Sequence, residues 1–106
     1  NMEKIGRLRR PIIPEGCSGN AHMYYLLLHD LADRNHFIEA MKHKGISCTF
    51  HYLPLHNSPF GQKFSRSNDP LIVTEDIANR LVRLPLWVEL GDLQSQIIDQ
   101  VLTQLC

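Results

Sequence analysis

No apolar run in this sequence is longer than the six residues Met23 to Leu28. A bilayer-crossing helix needs about 20, so no membrane-spanning helix is expected. A surplus of one charge is also missing, because 11 Lys and Arg stand against 11 Asp and Glu. That balance excludes the basic footprint of non-specific nucleic-acid binding and any strong pull toward an anionic membrane. Cysteine is scarce and odd in number, with Cys17, Cys48 and Cys106 far apart. Such spacing makes a poor disulfide framework and fits a reducing cytoplasm. No basic stretch leads into a long apolar one, so no secretory signal is expected. No serine sits in a G-x-S-x-G elbow, which removes the simplest nucleophile signature. Gly16-Cys-Ser-Gly19 precedes a strand pattern and not a helix, so no phosphate loop is present. Internal repeats and low-complexity tracts are absent as well.

The 106 residues suffice for one domain, and 43% hydrophobic content is that of a globular chain. Asn1 precedes Met2, which reads as a leftover ahead of an introduced start and suggests a piece of a longer protein. Residues 1–10 are basic and polar, with only Ile5 and Leu8 to bury. They read as a linker or the end of an upstream helix, leaving 11–106 as the domain. Pro11 and Pro14 hold the chain extended after it.

His22 to Leu28 is short and does not alternate, so it reads as a strand buried on both faces. A helix follows with Asp33 as its cap, Ala32 and Phe37 as a staple pair, and Phe37, Ile38 and Met41 on one face. Lys42, His43 and Lys44 suit its C-terminal end, and Gly45 suits the left-handed residue beyond it. Ile46 to Tyr52 reads as a second strand. A long connection from His51 to Leu71 carries Pro54, Pro59, Gly61 and Pro70, and loops of that length are often functional. A second helix is expected over Glu75 to Val82 with Thr74 as cap, then a short extended Leu84-Pro85-Leu86. A last helix starts near Gly91 or Asp92, with Ile97, Ile98, Val101, Leu102 and Leu105 on its apolar face. This order predicts an α/β (α+β) domain: a small three-stranded mixed sheet packed with helices.

The chemistry concentrates at His51-Tyr52-Leu53-Pro54-Leu55-His56, where a strand ends and the long connection begins. His51, Tyr52 and His56 could form a ligand-contacting wall with Pro54 fixing the backbone. Alternatively, they satisfy backbone groups in a structured loop. Cys48, His51 and His56 spell C-x2-H-x4-H, and Cys17 with His22 could complete four zinc ligands. Strand alternation turns Cys48 and His51 to opposite faces, which argues against zinc and against a Cys–His nucleophile pair. His36 and His43 share one helix face, best read as solvated. Lys63 sits in an exposed-looking segment, unlike the desolvated amine a Schiff base needs.

Four segments in order carry a resemblance: Asn20-Ala21-His22-Met23-Tyr24-Tyr25, Gly45-Ile46-Ser47, Phe50-His51-Tyr52-Leu53-Pro54-Leu55-His56, and Arg83-Leu84-Pro85-Leu86-Trp87. Together they resemble the C-terminal part of the DegT/DnrJ/EryC1/StrS sugar aminotransferases, over nearly all the chain after residue 10. The resemblance implies the small C-terminal domain of a fold-type-I, pyridoxal-phosphate transferase. It implies a parent enzyme moving an amino group from glutamate to a TDP-linked keto-sugar, working as a homodimer. His51, Tyr52 and His56 would line the cleft over cofactor and substrate, and Phe60 stands where many relatives place tyrosine. The Schiff-base lysine and phosphate-binding residues of that family lie in its large domain, and Lys4, Lys42, Lys44 and Lys63 match no family lysine motif. No catalytic residue and no metal ligand is therefore expected here, and the chain alone should be inactive. A non-catalytic ligand-binding or interaction module that kept the fold is the alternative.

Overall fold

The computed structural model describes residues 2–66 and 69–106. Asn1 of the basic arm and Ser67 and Asn68 of the long connection lie outside the described residues. Eight elements follow one another: β1 (Tyr25–Leu27), α1 (Leu31–His43), β2 (Thr49–Phe50), a 3-10 turn (Leu55–Asn57), α2 (Pro59–Phe64), α3 (Ile72–Arg80), β3 (Leu81–Arg83) and α4 (Leu93–Leu105).

The expected sheet covered by helices is present, with strand order β1-β3-β2. Its strand directions are not mixed. Val82 of β3 faces Leu26 of β1 and Phe50 of β2, and both pairings are antiparallel. The reason is topological: α1 returns the chain so that β1 and β2 point the same way with a gap between them, and β3 fills that gap in reverse. The basic arm extends this sheet, because Arg9 and Leu27 exchange two backbone hydrogen bonds of 2.8 and 2.9 Å.

The first strand is shorter than the expected His22 to Leu28, spanning Tyr25–Leu27, and only the end of the apolar run is buried: Leu26, Leu27 and Leu28 are nearly inaccessible, whereas Tyr24 is exposed. Leu26 and Val82 meet Phe37 and Met41 of α1 and Val101 of α4, and Cys48 joins them. Fully burying such side chains is worth about 1.5–3 kcal/mol each, so this cluster carries much of the domain's stability. Leu8 packs against its rim.

Helix α1 begins earlier than the Asp33 cap predicts. Asp30 is the cap: its carboxylate accepts from the Asp33 backbone N–H at 2.9 Å, and its backbone is extended. Both aspartates suit a cap by type. Leu31 and Ala32 adopt helical geometry, so the first free N–H groups fall within reach of Asp30, and the Ala32–Phe37 staple does not apply. The far end is as expected, since Gly45 has φ 74° and its N–H bonds the Lys42 carbonyl at 2.9 Å.

Three further expectations are corrected. The second strand shrinks to Thr49–Phe50 because its partner β3 is only three residues long. Helix α3 spans Ile72–Arg80 with Leu71 before it and no side-chain cap, so Thr74 lies inside it. Leu81 and Val82 leave that helix to form β3, where they fill the sheet centre. The short strand is thus Leu81–Arg83, and Leu84 follows it, its N–H bonding the Tyr24 carbonyl at 3.0 Å. No helix among the described residues is long and apolar enough to cross a membrane.

Candidate functional site

The connection after β2 is built, not loose, over residues 54–65. Pro54 holds φ −54° and ψ 134°, which turns the chain into the 3-10 turn. Ser58 caps α2, with Pro59 in its first turn, where a missing N–H costs nothing. The Ser58 hydroxyl accepts from the Gly61 N–H at 2.9 Å and donates to the Leu55 carbonyl at 2.7 Å. Ser65 donates back to the Gly61 carbonyl at 2.6 Å. Gly61 is buried so close to Leu55 that a Cβ there would overlap the Leu55 carbonyl. Only glycine permits that approach, and the approach fixes where the turn holds His56.

His56 points to α3. Its Nε2 lies 3.0 Å from Glu75 Oε1, and Asn57 Nδ2 donates to the same oxygen at 3.4 Å. A carboxylate only accepts, so Nε2 carries the proton. The His56 and then the Asn57 hydrogen bonds hold the Glu75 carboxyl below its ordinary range. The imidazole is mostly buried, with its side chain 19% exposed.

His51 and Tyr52 come together at the exit of β2, their rings edge-on with centroids 4.6 Å apart. Arg83 joins them from β3, its guanidinium 6.0 Å from the Tyr52 ring. Sequence reasoning missed Arg83 as a site residue. Its signal was a cation inside an otherwise apolar strand, in register with Thr49. Three buried side-chain nitrogens among the described residues have no hydrogen-bond partner: Arg34 Nε, His51 Nδ1 and Arg83 Nε. The Asn20-Ala21-His22 segment forms a tight turn, with His22 N–H bonded to Asn20 Oδ1 at 3.2 Å and Ala21 at φ 52°.

Other sequence candidates separate. Cys48 is buried in the core, where desolvation pushes its thiol up to about 11. It is a poor thiolate source. The Cys48, His51 and His56 donors do not gather within metal-binding reach. Among the described residues only His29, Asp30 and Asp33 place three donors within 4.8 Å of one another, at an exposed helix start where Asp30 already serves as cap.

The same connection exposes apolar surface. Tyr52, Leu53, Leu55, Phe60 and Phe64 are all largely accessible, and the Phe60 and Phe64 rings lie 4.5 Å apart. Ile72 and Val73 of α3 are exposed as well. Clustered side chains of this kind mark interaction surfaces.

A family model for the DegT/DnrJ/EryC1/StrS aminotransferases matches residues 2–103. The chain belongs to the DegT/DnrJ/EryC1/StrS aminotransferase family. Among solved structures of similar fold is the aminotransferase TlmJ from Streptoalloteichus hindustanus, 26% identical with TM-score 0.79, covering 93% of this chain and 26% of that one. A family aminotransferase from Brucella abortus is 22% identical with TM-score 0.78, covering 96% of this chain and 27% of that one. The PLP-form of Spr1654, a putative sugar aminotransferase from Streptococcus pneumoniae, is 20% identical with TM-score 0.73, covering 98% of this chain and 29% of that one. The family chain described here thus spans about a quarter of the length of these proteins.

Pyridoxal phosphate, the cofactor this family implies, does not find a covalent anchor among these residues. Lys4, Lys42, Lys44 and Lys63 are all exposed, whereas an anchoring amine sits in a desolvated pocket. What the residues bring together is His51, Tyr52 and Arg83 beside a rigidly braced turn.

Proposed function

We propose that this chain is the small C-terminal domain of a pyridoxal-phosphate-dependent sugar-nucleotide aminotransferase. The parent enzyme moves an amino group from glutamate to the 4-keto carbon of a TDP-4-keto-6-deoxyhexose. By wording, the Asn20-Ala21-His22 and Phe50-His51-Tyr52-Leu53-Pro54-Leu55-His56 segments fit a TDP-4-keto-6-deoxy-D-glucose 4-aminotransferase. Such an enzyme works in the cytoplasm and supplies surface polysaccharide, including enterobacterial common antigen. The observation that carries this reading is the family match over residues 2–103, with the His51–Tyr52 pair at a strand exit inside it.

When bound, pyridoxal phosphate supplies the electron sink for amino transfer, and the reactive lysine comes from the large domain. This chain's own residues close one side of the cleft. His51 and Tyr52 face the substrate, Glu75 fixes the His56 proton on Nε2, and Gly61 holds the turn that carries His56. The exposed Leu53, Phe60 and Phe64 surface is where the large domain packs, and the parent works as a homodimer.

Split-enzyme complementation tests this. The chain is mixed with the large domain of a family aminotransferase whose own small domain restores activity when added back. The expected result is amino transfer from glutamate to a TDP-4-keto-6-deoxyhexose, lost when His51 is replaced by Ala. Failure of this chain where the native small domain succeeds would overturn the proposal.

A further inference from the structure

Arginines that are not fully exposed are normally paired, and in this protein one of three is. Arg80 has both the Asp76 carboxylate and the Leu28 carbonyl, each at 2.8 Å. Arg34 is buried, yet it reaches only the Ala78 carbonyl, at 3.5 Å, and stacks over Phe50 at 5.2 Å. Arg83 has no carboxylate within salt-bridge distance among the described residues. Its Nε is a buried donor without an acceptor, and His51 Nδ1, a donor or an acceptor according to the tautomer, is buried without a partner. Buried donors without acceptors are costly and call for an explanation. Both side chains lie near one ring. Tyr52 lies 4.6 Å from the His51 ring and 6.0 Å from the Arg83 guanidinium, and it is 69% exposed itself.

We propose that Arg83 and His51, under the Tyr52 ring, form an oxyanion-binding subsite for a carboxylate or phosphate group of the substrate. This deepens the function proposed above and rests on it for the occupant's role in the reaction. The guanidinium fork matches two oxygens of one oxyanion, and stacking against an aromatic face fixes its plane. Of this guanidinium only Nε is among the buried unpartnered atoms. The register of β2 against β3 holds the pair in place, since Arg83 lies opposite Thr49, two residues before His51. Glu75 of α3 is engaged by His56 and Asn57, and no carboxylate among the described residues forms an ion pair with Arg83.

Two sources share this chemistry: the carboxylate of an amino donor and the phosphate of a nucleotide sugar. NMR of the 106-residue chain separates them, with glutarate in one arm, inorganic phosphate in the other, and sodium chloride at matched ionic strength as control. The expected result is a saturable shift of the Arg83 Nε–H and His51 ring signals, and the anion that saturates first names the source. Arg83→Gln should weaken binding about tenfold or more, and Arg83→Lys, which keeps charge without the fork, by less. No saturable shift at Arg83 beyond the chloride control in either arm overturns the proposal, as does unchanged binding by folded Arg83→Gln. If that variant does not fold, the unmodified chain's Arg83 signal decides. Complementation failing while this titration succeeds refutes the amino-transfer reading alone, and the reverse refutes the subsite alone.

Discussion

Replacing Gly61 by alanine should unlock the turn that carries His56 without unfolding the sheet. The added Cβ would overlap the Leu55 carbonyl oxygen, and it would lie 2.8 Å from Leu55 C and 3.0 Å from Ser58 Oγ. Two of those three atoms are backbone, so no side-chain rotation relieves the contact. Overpacking of this kind costs about 1–3 kcal/mol. Helix α2 has only six residues, and a helix that short has almost no stability of its own. The relaxation available to it is to pull away from the 3-10 turn, which breaks the Gly61 N–H to Ser58 bond and the Ser58 to Leu55 bond. Hydrogen exchange reads this directly. Amides of Gly61, Gln62 and Ser65 should lose about fivefold to a hundredfold in protection, while Leu26, Leu27 and Val82 keep theirs. Unchanged protection across 61–65 in the alanine variant would refute the close-approach argument.

Three other outcomes follow from the same structure. At pH 8 an alkylating reagent should modify exposed Cys17 and Cys106 quickly and buried Cys48 only on unfolding, as mass spectrometry of the intact chain would record. Glu75 has its carboxyl lowered by His56 and Asn57. Its stabilising contribution is therefore present above the ordinary value of 4.5 and is lost as the pH falls through the lowered folded value. In His56→Ala the Glu75 titration, followed by NMR, should move up toward 4.5 and the acid limb of the stability curve should flatten. The exposed Phe60 and Phe64 surface should make the isolated chain self-associate with rising concentration in light scattering, and Phe60→Ser with Phe64→Ser should abolish it.

Much of the scaffold is legible in the residue order, for reasons that are local. The run through Leu26 to Leu28 announces a strand buried on both faces, and Gly45 marks the end of α1 because its φ of 74° suits no side chain. The misreadings occur where two physical readings share one pattern. Leu81 and Val82 continue the helical spacing of Ile77 and Ala78, and only pairing with β1 and β2 draws them into the sheet. Asp30 and Asp33 are equally good caps by type, and the backbone decides between them. Pro54, Pro59 and Gly61 read as loop punctuation. In fact Ser58 followed by Pro59 is a helix start, and Gly61 is small because Leu55 passes against it. At the site, His51 and Tyr52 are visible as a pair because they adjoin in sequence. Arg83 is not, because its nearness to Tyr52 arises only from strand register.

In the proposed function this chain supplies one wall of a cleft, and the reactive amine comes from the large domain. Borohydride trapping of pyridoxal phosphate in the complemented mixture, followed by peptide mapping, addresses that directly. The trapped group is expected on a lysine of the added large domain, with none at stoichiometric yield on Lys4, Lys42, Lys44 or Lys63. One equivalent trapped on any of those four, and lost when that lysine is replaced by Ala, would contradict the proposed function.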